Sequence, residues 1–228
     1  NPTGLSLPSE SRYALLNLFM ESATRHEDVG HTLLIDAAYH LYADEPHGWA
    51  ETIHEALDNG LPWPENLLIC FAVSLSKSHT IYGLRTGALV CIHPEEATLE
   101  KLREVMGVTG RQTWSAAPRI AQYVLSEMHA SEEGGASWSE ERDRLASLLI
   151  ERREAFVAAC DELDVPVNPT HDGFFAWYEC SDPVAVAEAC ADMHVYLVPL
   201  SGGVRIGLCA IPLEQIPKVA EALKATQQ

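Results

Sequence analysis

Positive charge is scarce in this sequence. Its 15 Lys and Arg stand against 33 Asp and Glu, a formal net charge of −18 with histidine neutral. A surface of that sign repels phosphate backbones and anionic headgroups, which argues against nucleic acid and membrane as partners. No apolar run approaches the ~18 residues of a membrane span, and no basic-plus-apolar leader is seen. Cysteine is present but unpatterned: Cys70, Cys91, Cys160, Cys180, Cys190 and Cys209 include no CxxC pair. Several lie in apolar runs such as LLICFAV and RIGLCAI, so they read as reduced core thiols of a cytoplasmic protein. The histidines lack HExxH or comparable ligand spacing, and no metal is expected. Internal repeats and low-complexity tracts are also missing. A small anionic substrate stays open, because a few arginines can reverse the field locally.

What is present suits a packed chain. Apolar residues make up 47% of 228, enough for one or two domains. The first residue is Asn1, not Met, in the turn-rich NPTG, which leads us to expect an upstream portion. Leu15, Leu16, Phe19, Met20 and Ala23 recur at helical spacing and predict a helix over 9–26. TLLID (32–36) predicts a short buried strand, followed by a polar loop through DAAYHLYADEPHGW. NLLICFAVS (66–74) is a continuous apolar run, the mark of a central strand buried on both faces. TGALVCI (86–92) predicts another strand, and 94–106 and 116–127 predict helices. GGAS (134–137) reads as a linker before a long amphipathic helix over 139–163. The strands FFAWYEC, VYLVP and VRIGLCAI then alternate with helices over 183–193 and 213–225. The expected class is α/β, part of a large mixed-sheet domain over 1–130, with a connecting helix and a small α+β domain over 131–228.

Chemistry-bearing residues gather just after the expected strands, the edge where open α/β sheets bind ligands. Asp36 ends the first strand, Ser74, Ser76 and Lys77 end the second in VSLSKS, and Arg85 follows in YGLRTG. Each has a plain reading. Lys77 alone would be a solvated lysine, Asp36 a turn cap, Tyr39 a packed aromatic and Arg85 a surface ion-pair partner. Arg205 stands in an otherwise apolar strand, where a charge needs a bound carboxylate or an internal acid beside it. His40 and His79 read first as satisfied polar residues.

Taken in order, NPTG, DAAY, SLSK, YGLRTG and GGVRIG resemble the fold-type I pyridoxal-phosphate-dependent aminotransferases of class I/II, nearest the aspartate and aromatic branch. The resemblance runs along nearly the whole chain and covers the latter half, or somewhat more, of a family member. It implies a three-layer αβα cofactor domain, of which this chain would hold the C-terminal part. It implies that Lys77 carries pyridoxal 5′-phosphate as a Schiff base and then moves the substrate α-proton. Asp36 would pair with the cofactor's ring nitrogen, and Asn1 and Tyr39 would contact its phenolic oxygen. Ser74, Arg85 and Ser76 would bind its phosphate, and Arg205 the substrate α-carboxylate. RQTWSAAP resembles a segment whose leading arginine, here Arg111, reaches a neighbouring subunit and binds a distal carboxylate; Trp114 stands where the family more often has tyrosine.

The implied reaction is transamination between an amino acid, dicarboxylic or aromatic, and a 2-oxo acid, in a homodimer. Two alternatives stay open: a carbon–sulfur β-lyase built on the same lysine, aspartate and arginine, and a non-catalytic fragment. The family's phosphate-cradling glycine loop and ring-stacking aromatic lie upstream of NPTG.

Overall fold

A computed structural model describes residues 3–227, so Asn1 lies outside the described residues. The chain folds as two compact units. The first comprises Leu7–Leu41 and Glu45–Ser139. It opens with α1 (Ser9–Arg25), started by Pro8, whose carbonyl accepts from the Ser11 and Arg12 amides at 3.0 Å. Leu16, Met20 and Ala23 bury the stripe the spacing predicted, with Leu15 and Phe19 packed at its margin.

Strand β1 (His31–Asp36) follows, then α2 (Gly48–Asp58), β2 (Leu67–Ser74), the single turn α3 (Leu75–Ser78) and β3 (Gly87–Ile92). The sheet order is β1-β2-β3, with β1 and β2 parallel and β3 antiparallel to β2. Leu33, Ile35, Leu67 and Ile69 form one apolar core with Leu16, Met20, Ile53 and Ala56 of the two helices. Helices α4 (Glu96–Thr113) and α5 (Arg119–His129) complete this unit, together with the start of α6 (Glu132–Glu162).

Four expectations change. β1 is not buried throughout: Leu33 and Ile35 face the core, while Leu34, which points to the opposite face of the sheet, is 62% exposed. The stretch expected to be loop ends inside α2, which starts at Gly48 and buries Thr52, Ile53 and Ala56 on one face. Helix α4 runs on to Thr113, so Arg111 lies in its last turn. Gly134–Ser137 is no linker but lies within α6. The Gly134 amide donates to Ser131 Oγ at 3.1 Å, a side-chain cap, with Glu132 and Glu133 in the first turn. A Cβ at Gly134 would collide with the Met128 carbonyl, so glycine here permits close approach.

Arg12 is a buried charge that periodicity does not reveal. It is 5% exposed on α1. Its guanidinium donates to Glu45 Oε2 at 2.6 Å, the Leu7 carbonyl at 2.7 Å and Thr52 Oγ1 at 3.1 Å. Gly48, first residue of α2, makes the room: a Cβ there would stand 2.8 Å from the guanidinium carbon.

The second unit takes residues 3–6, Tyr42–Asp44 and the chain from Glu140 onward. Beyond α6 come β4 (Phe175–Glu179), α7 (Pro183–Asp192), β5 (Val198–Leu200), β6 (Gly203–Gly207) and α8 (Ile216–Ala225). Asp182 caps α7, accepting from the Ala185 amide at 3.1 Å. The sheet order is β4-β6-β5, antiparallel throughout. Phe156, Cys160, Ile206, Leu208, Ile216 and Leu223, all fully buried, centre its core. Strand pairing is shorter than the apolar runs suggest: β6 stops at Gly207 and Leu208–Ala210 turn as a 3-10 helix. Cys209 in that turn is exposed, against its expected place in the core, whereas Cys70, Cys160 and Cys190 are buried; all six thiols are free.

Gly4 of NPTG belongs to this second unit. Its carbonyl accepts from the His171 and Asp172 amides, both at 2.8 Å. Its φ is +69°, and a Cβ would strike the Phe175 carbonyl and Thr170 Oγ1. Only glycine meets both demands.

Candidate active site

Because β1 and β2 are parallel and adjacent, their C-terminal ends emerge side by side. Asp36 pairs in register with Ala72, just before Ser74. Asp36 is exposed, and its Oδ1 accepts from the Ala38 amide at 3.0 Å, the turn contact open to an aspartate there. No cation pairs with it among the described residues.

β2 runs into α3, and the chain returns through residues 79–86 to β3. The Leu75 amide closes this loop on the Thr86 carbonyl at 3.1 Å. Two non-glycine residues in it take positive φ, Thr80 at 53° and Arg85 at 52°. Such backbone persists where the surroundings over-determine it. Gly87 opens β3 where a Cβ would collide with the Val73 carbonyl. Ser74 is the extended residue before α3, and its hydroxyl is not spent on capping the turn.

Lys77 is half-buried on α3. Its Nζ lies 5.6 Å from the ring centre of Tyr39 and 5.3 Å from that of Tyr82. Arg85 reaches back over the same Tyr82 ring, 4.8 Å from guanidinium carbon to ring centre. Its Nη1 donates to Ser76 Oγ at 3.3 Å and to the Tyr82 carbonyl at 3.0 Å. No carboxylate pairs with Arg85 among the described residues. A guanidinium beside a buried hydroxyl, without a counter-anion, is a donor set suited to a phosphate. Thus Tyr39, Ser76, Lys77 and Arg85 are brought together, while Ser74 and Asp36 stand on the adjoining strand ends.

Sequence reasoning missed two parts of this neighbourhood. Tyr82 was legible only as an aromatic within YGLR. The second part is an aromatic group behind Lys77: His79 stacks on Trp138, 4.6 Å between ring centres and 14° between planes, and His129 meets both edge-on. Burial, then the neighbouring His129 and His40, push the His79 pKa down to about 4.

Arg205 belongs to the second unit. It lies on β6, paired with Trp177 of β4 and Val198 of β5. Its guanidinium carbon lies 4.3 Å from the Phe175 ring centre, a cation–π contact. No internal acid pairs with it among the described residues. Arg111, in the last turn of α4, is exposed, as is Trp114 at 68%. Among the described residues no helix is long and apolar enough to cross a membrane. A cavity of about 340 Å³ beside α1, lined by Met20, Thr24, Arg25 and Leu61 among others, includes none of the candidate site residues.

At one edge of this mixed sheet Asp36 ends β1, Lys77 lies on the turn after β2, and Arg85 lies on the loop returning to β3. The family model for aminotransferase class I and II matches residues 1–223, and the chain belongs to that family. It is 28% identical to the aromatic-amino-acid aminotransferase of Paracoccus denitrificans over 98% of this chain and 53% of that protein. Against the cytoplasmic aspartate aminotransferase of Schizosaccharomyces pombe it is 24% identical, over 97% of this chain and 51% of the relative. The crystal structure of an aminotransferase from Anaerococcus prevotii superposes with a TM-score of 0.89 at 29% identity, covering 99% of this chain and 54% of that one. The aromatic-amino-acid aminotransferase of Burkholderia pseudomallei, described as covalently bound to pyridoxal phosphate, shares the fold with a TM-score of 0.78 at 20% identity, over 100% of this chain and 54% of its own. The chain therefore spans about half the length of the relatives it matches.

Proposed function

We propose that the complete protein transfers an amino group between an amino acid and a 2-oxo acid, with pyridoxal 5′-phosphate bonded to Lys77. The observation that carries this is Lys77 Nζ in contact with both the Tyr39 and Tyr82 rings, with Arg85 on the same Tyr82 ring and hydrogen-bonded to Ser76. Bonding there would join the lysine amine to an aldehyde. When bound, the cofactor supplies that aldehyde and a ring that draws electrons from the substrate α-carbon.

The residues present fit this group. Arg85 and Ser76, with the Ser74 hydroxyl, would hold the phosphate. Asp36 has one carboxylate oxygen on Ala38 and the other available to hold a proton at the ring nitrogen. Tyr39 would donate at the phenolic oxygen, the role it would share with Asn1. Lys77 Nζ would also carry the proton taken from the substrate α-carbon. Arg205, with no acid paired to it among the described residues, would bind the α-carboxylate.

The unit of Leu7–Leu41 and Glu45–Ser139 would then be the latter part of the cofactor domain, and the chain from Glu140 the small domain. A cytoplasmic homodimer is the assembly we propose. Val105, Met106 and Val108 on α4, and Ile120, Tyr123 and Val124 on α5, are all exposed, an apolar surface that a second copy would cover. Arg111 beside it would bind the distal carboxylate of a dicarboxylic substrate across that interface.

The test is to add pyridoxal 5′-phosphate to the complete protein, reduce with borohydride and map the adduct by peptide mass. The adduct is expected on Lys77 and lost in Lys77→Ala. An adduct spread over other lysines, with none on Lys77, would overturn the assignment. Release of ammonia and pyruvate from a cysteine-type substrate, without need of a 2-oxo acid, would instead mark a β-lyase.

A further inference from the structure

A four-residue helix has too few internal hydrogen bonds to hold its own shape. Yet α3 carries Lys77, whose aim would decide whether its amine meets an aldehyde. Something outside the turn must fix it.

The hydrogen bonds around Ser78 and His79 form a chain whose direction follows from where the Ser78 hydroxyl proton goes. Ser78 Oγ donates to the Ser74 carbonyl at 3.1 Å, closing the turn. A hydroxyl has one proton. With that proton on the Ser74 carbonyl, which can only accept, the contact at 2.8 Å between Ser78 Oγ and His79 Nδ1 is donated by His79. A neutral His79 then carries its proton on Nδ1 and leaves Nε2 bare. That bare nitrogen faces His129 Nε2 at 3.2 Å. The two ring centres are 5.5 Å apart, longer than the nitrogen gap by about one ring diameter, so the rings point nitrogen to nitrogen. His129 must donate. A proton added to His79 would set N–H against N–H. The chain ends on a backbone carbonyl, which cannot pass a proton on, so it locks geometry and does not conduct.

We propose that His79 is a positioning residue for Lys77: fixed as its Nδ1–H tautomer between His129 and Ser78, and stacked on Trp138, it clamps the single helical turn that carries the lysine. This rests on the reading of Lys77 as the cofactor-bonding amine. The groups packed about His79 are His129 from α5, Trp138 from α6, His40 from the loop after β1, and Ser78 of its own turn. None offers the carboxylate that would draw a proton onto the ring. The depressed His79 pKa agrees with this arrangement.

The first test needs no cofactor. Long-range proton–nitrogen correlation spectra of the full chain with labelled histidine should show His79 as the Nδ1–H tautomer, unchanged from pH 8 down to about pH 5. Ser78→Ala should return it to the Nε2–H form usual in water. An Nε2–H tautomer in the unaltered protein, or titration near the ordinary ~6.5, would overturn the proposal. The second test follows the borohydride-trapped adduct at Lys77. His79→Phe, which keeps the stack but loses both hydrogen bonds, and Ser78→Ala should each slow its formation about ten- to a hundredfold, the scale of an ångström-level misplacement. Unchanged rates in both variants would overturn the positioning role alone. No adduct on Lys77 in the unaltered protein would overturn the underlying reading and this one with it, while leaving the tautomer result intact.

Discussion

Ser76 and Arg85 are joined by a hydrogen bond of 3.3 Å across the loop that links β2 to β3. Ser76 is 6% exposed, and Arg85 reaches it from a left-handed backbone position. Strained backbone and a buried hydroxyl converge on one guanidinium that lacks an acidic partner among the described residues.

Arg85→Lys keeps the charge but loses the planar fork. Charge-assisted hydrogen bonds of this kind contribute about 1.5–3 kcal/mol, so affinity for pyridoxal 5′-phosphate should fall about 10- to 100-fold. Fluorescence titration of the complete protein measures it, with inorganic phosphate as competitor. An affinity equal to that of the parent would remove Arg85 from the phosphate site.

Arg205→Gln should raise the KM for every amino-acid substrate, because the α-carboxylate is common to all. Arg111→Leu should act selectively, weakening aspartate or glutamate about tenfold or more and sparing an aromatic amino acid. Steady-state kinetics on an aspartate and aromatic pair separates the two roles. Equal loss on both substrates in Arg111→Leu would end the distal-carboxylate assignment.

Gly48→Ala should destabilise the first unit by about 1–3 kcal/mol, the usual range for overpacking. Its new Cβ would meet the Arg12 guanidinium, which three partners hold in place. In an Arg12→Ala background the same substitution should cost far less. Urea unfolding of the four proteins in the cycle gives the coupling; additivity would mean that the Cβ meets some other obstacle.

Burial, with Asp161 adding to it, pushes the Cys160 thiol up to about 12 from an ordinary 9.0. The folded value is the higher one, so the neutral thiol favours folding. Its contribution is complete below about pH 9 and is lost as pH rises toward 12, where the unfolded chain releases the proton first. Cys160→Ala should therefore flatten the alkaline fall in stability. Unfolding midpoints at pH 8 and pH 10 test this, and identical slopes in the two proteins would contradict it.

Much of the fold could be read from local pattern. The stripe of α1 reports a buried face directly, since side-chain period follows backbone geometry; the apolar run of β2 marked a central strand, but only Leu67, Ile69 and Cys70 of it are buried rather than both faces throughout. The start of α2 was hidden because turn-forming residues crowd DEPHGW just ahead of its apolar face. Gly134 and Gly135 suggested a linker because glycine weakens helices in isolation, whereas here Ser131 caps the helix and the Met128 carbonyl leaves no room for a Cβ.

From its residues alone, the chain specified that Asp36, Lys77 and Arg85 would follow strand ends, and that its acidic surface suits neither nucleic acid nor anionic membrane. Period and composition act over a handful of neighbours, and that range suffices for such statements. Only the tertiary structure decided that Tyr82 joins Tyr39 at Lys77, that Arg12 is buried against Gly48, and that His79 meets His129 and Trp138. Most of those contacts join residues far apart in the chain, and the Lys77–Tyr82 contact depends on how the loop after α3 folds back; such partners are chosen by packing, which no local periodicity encodes.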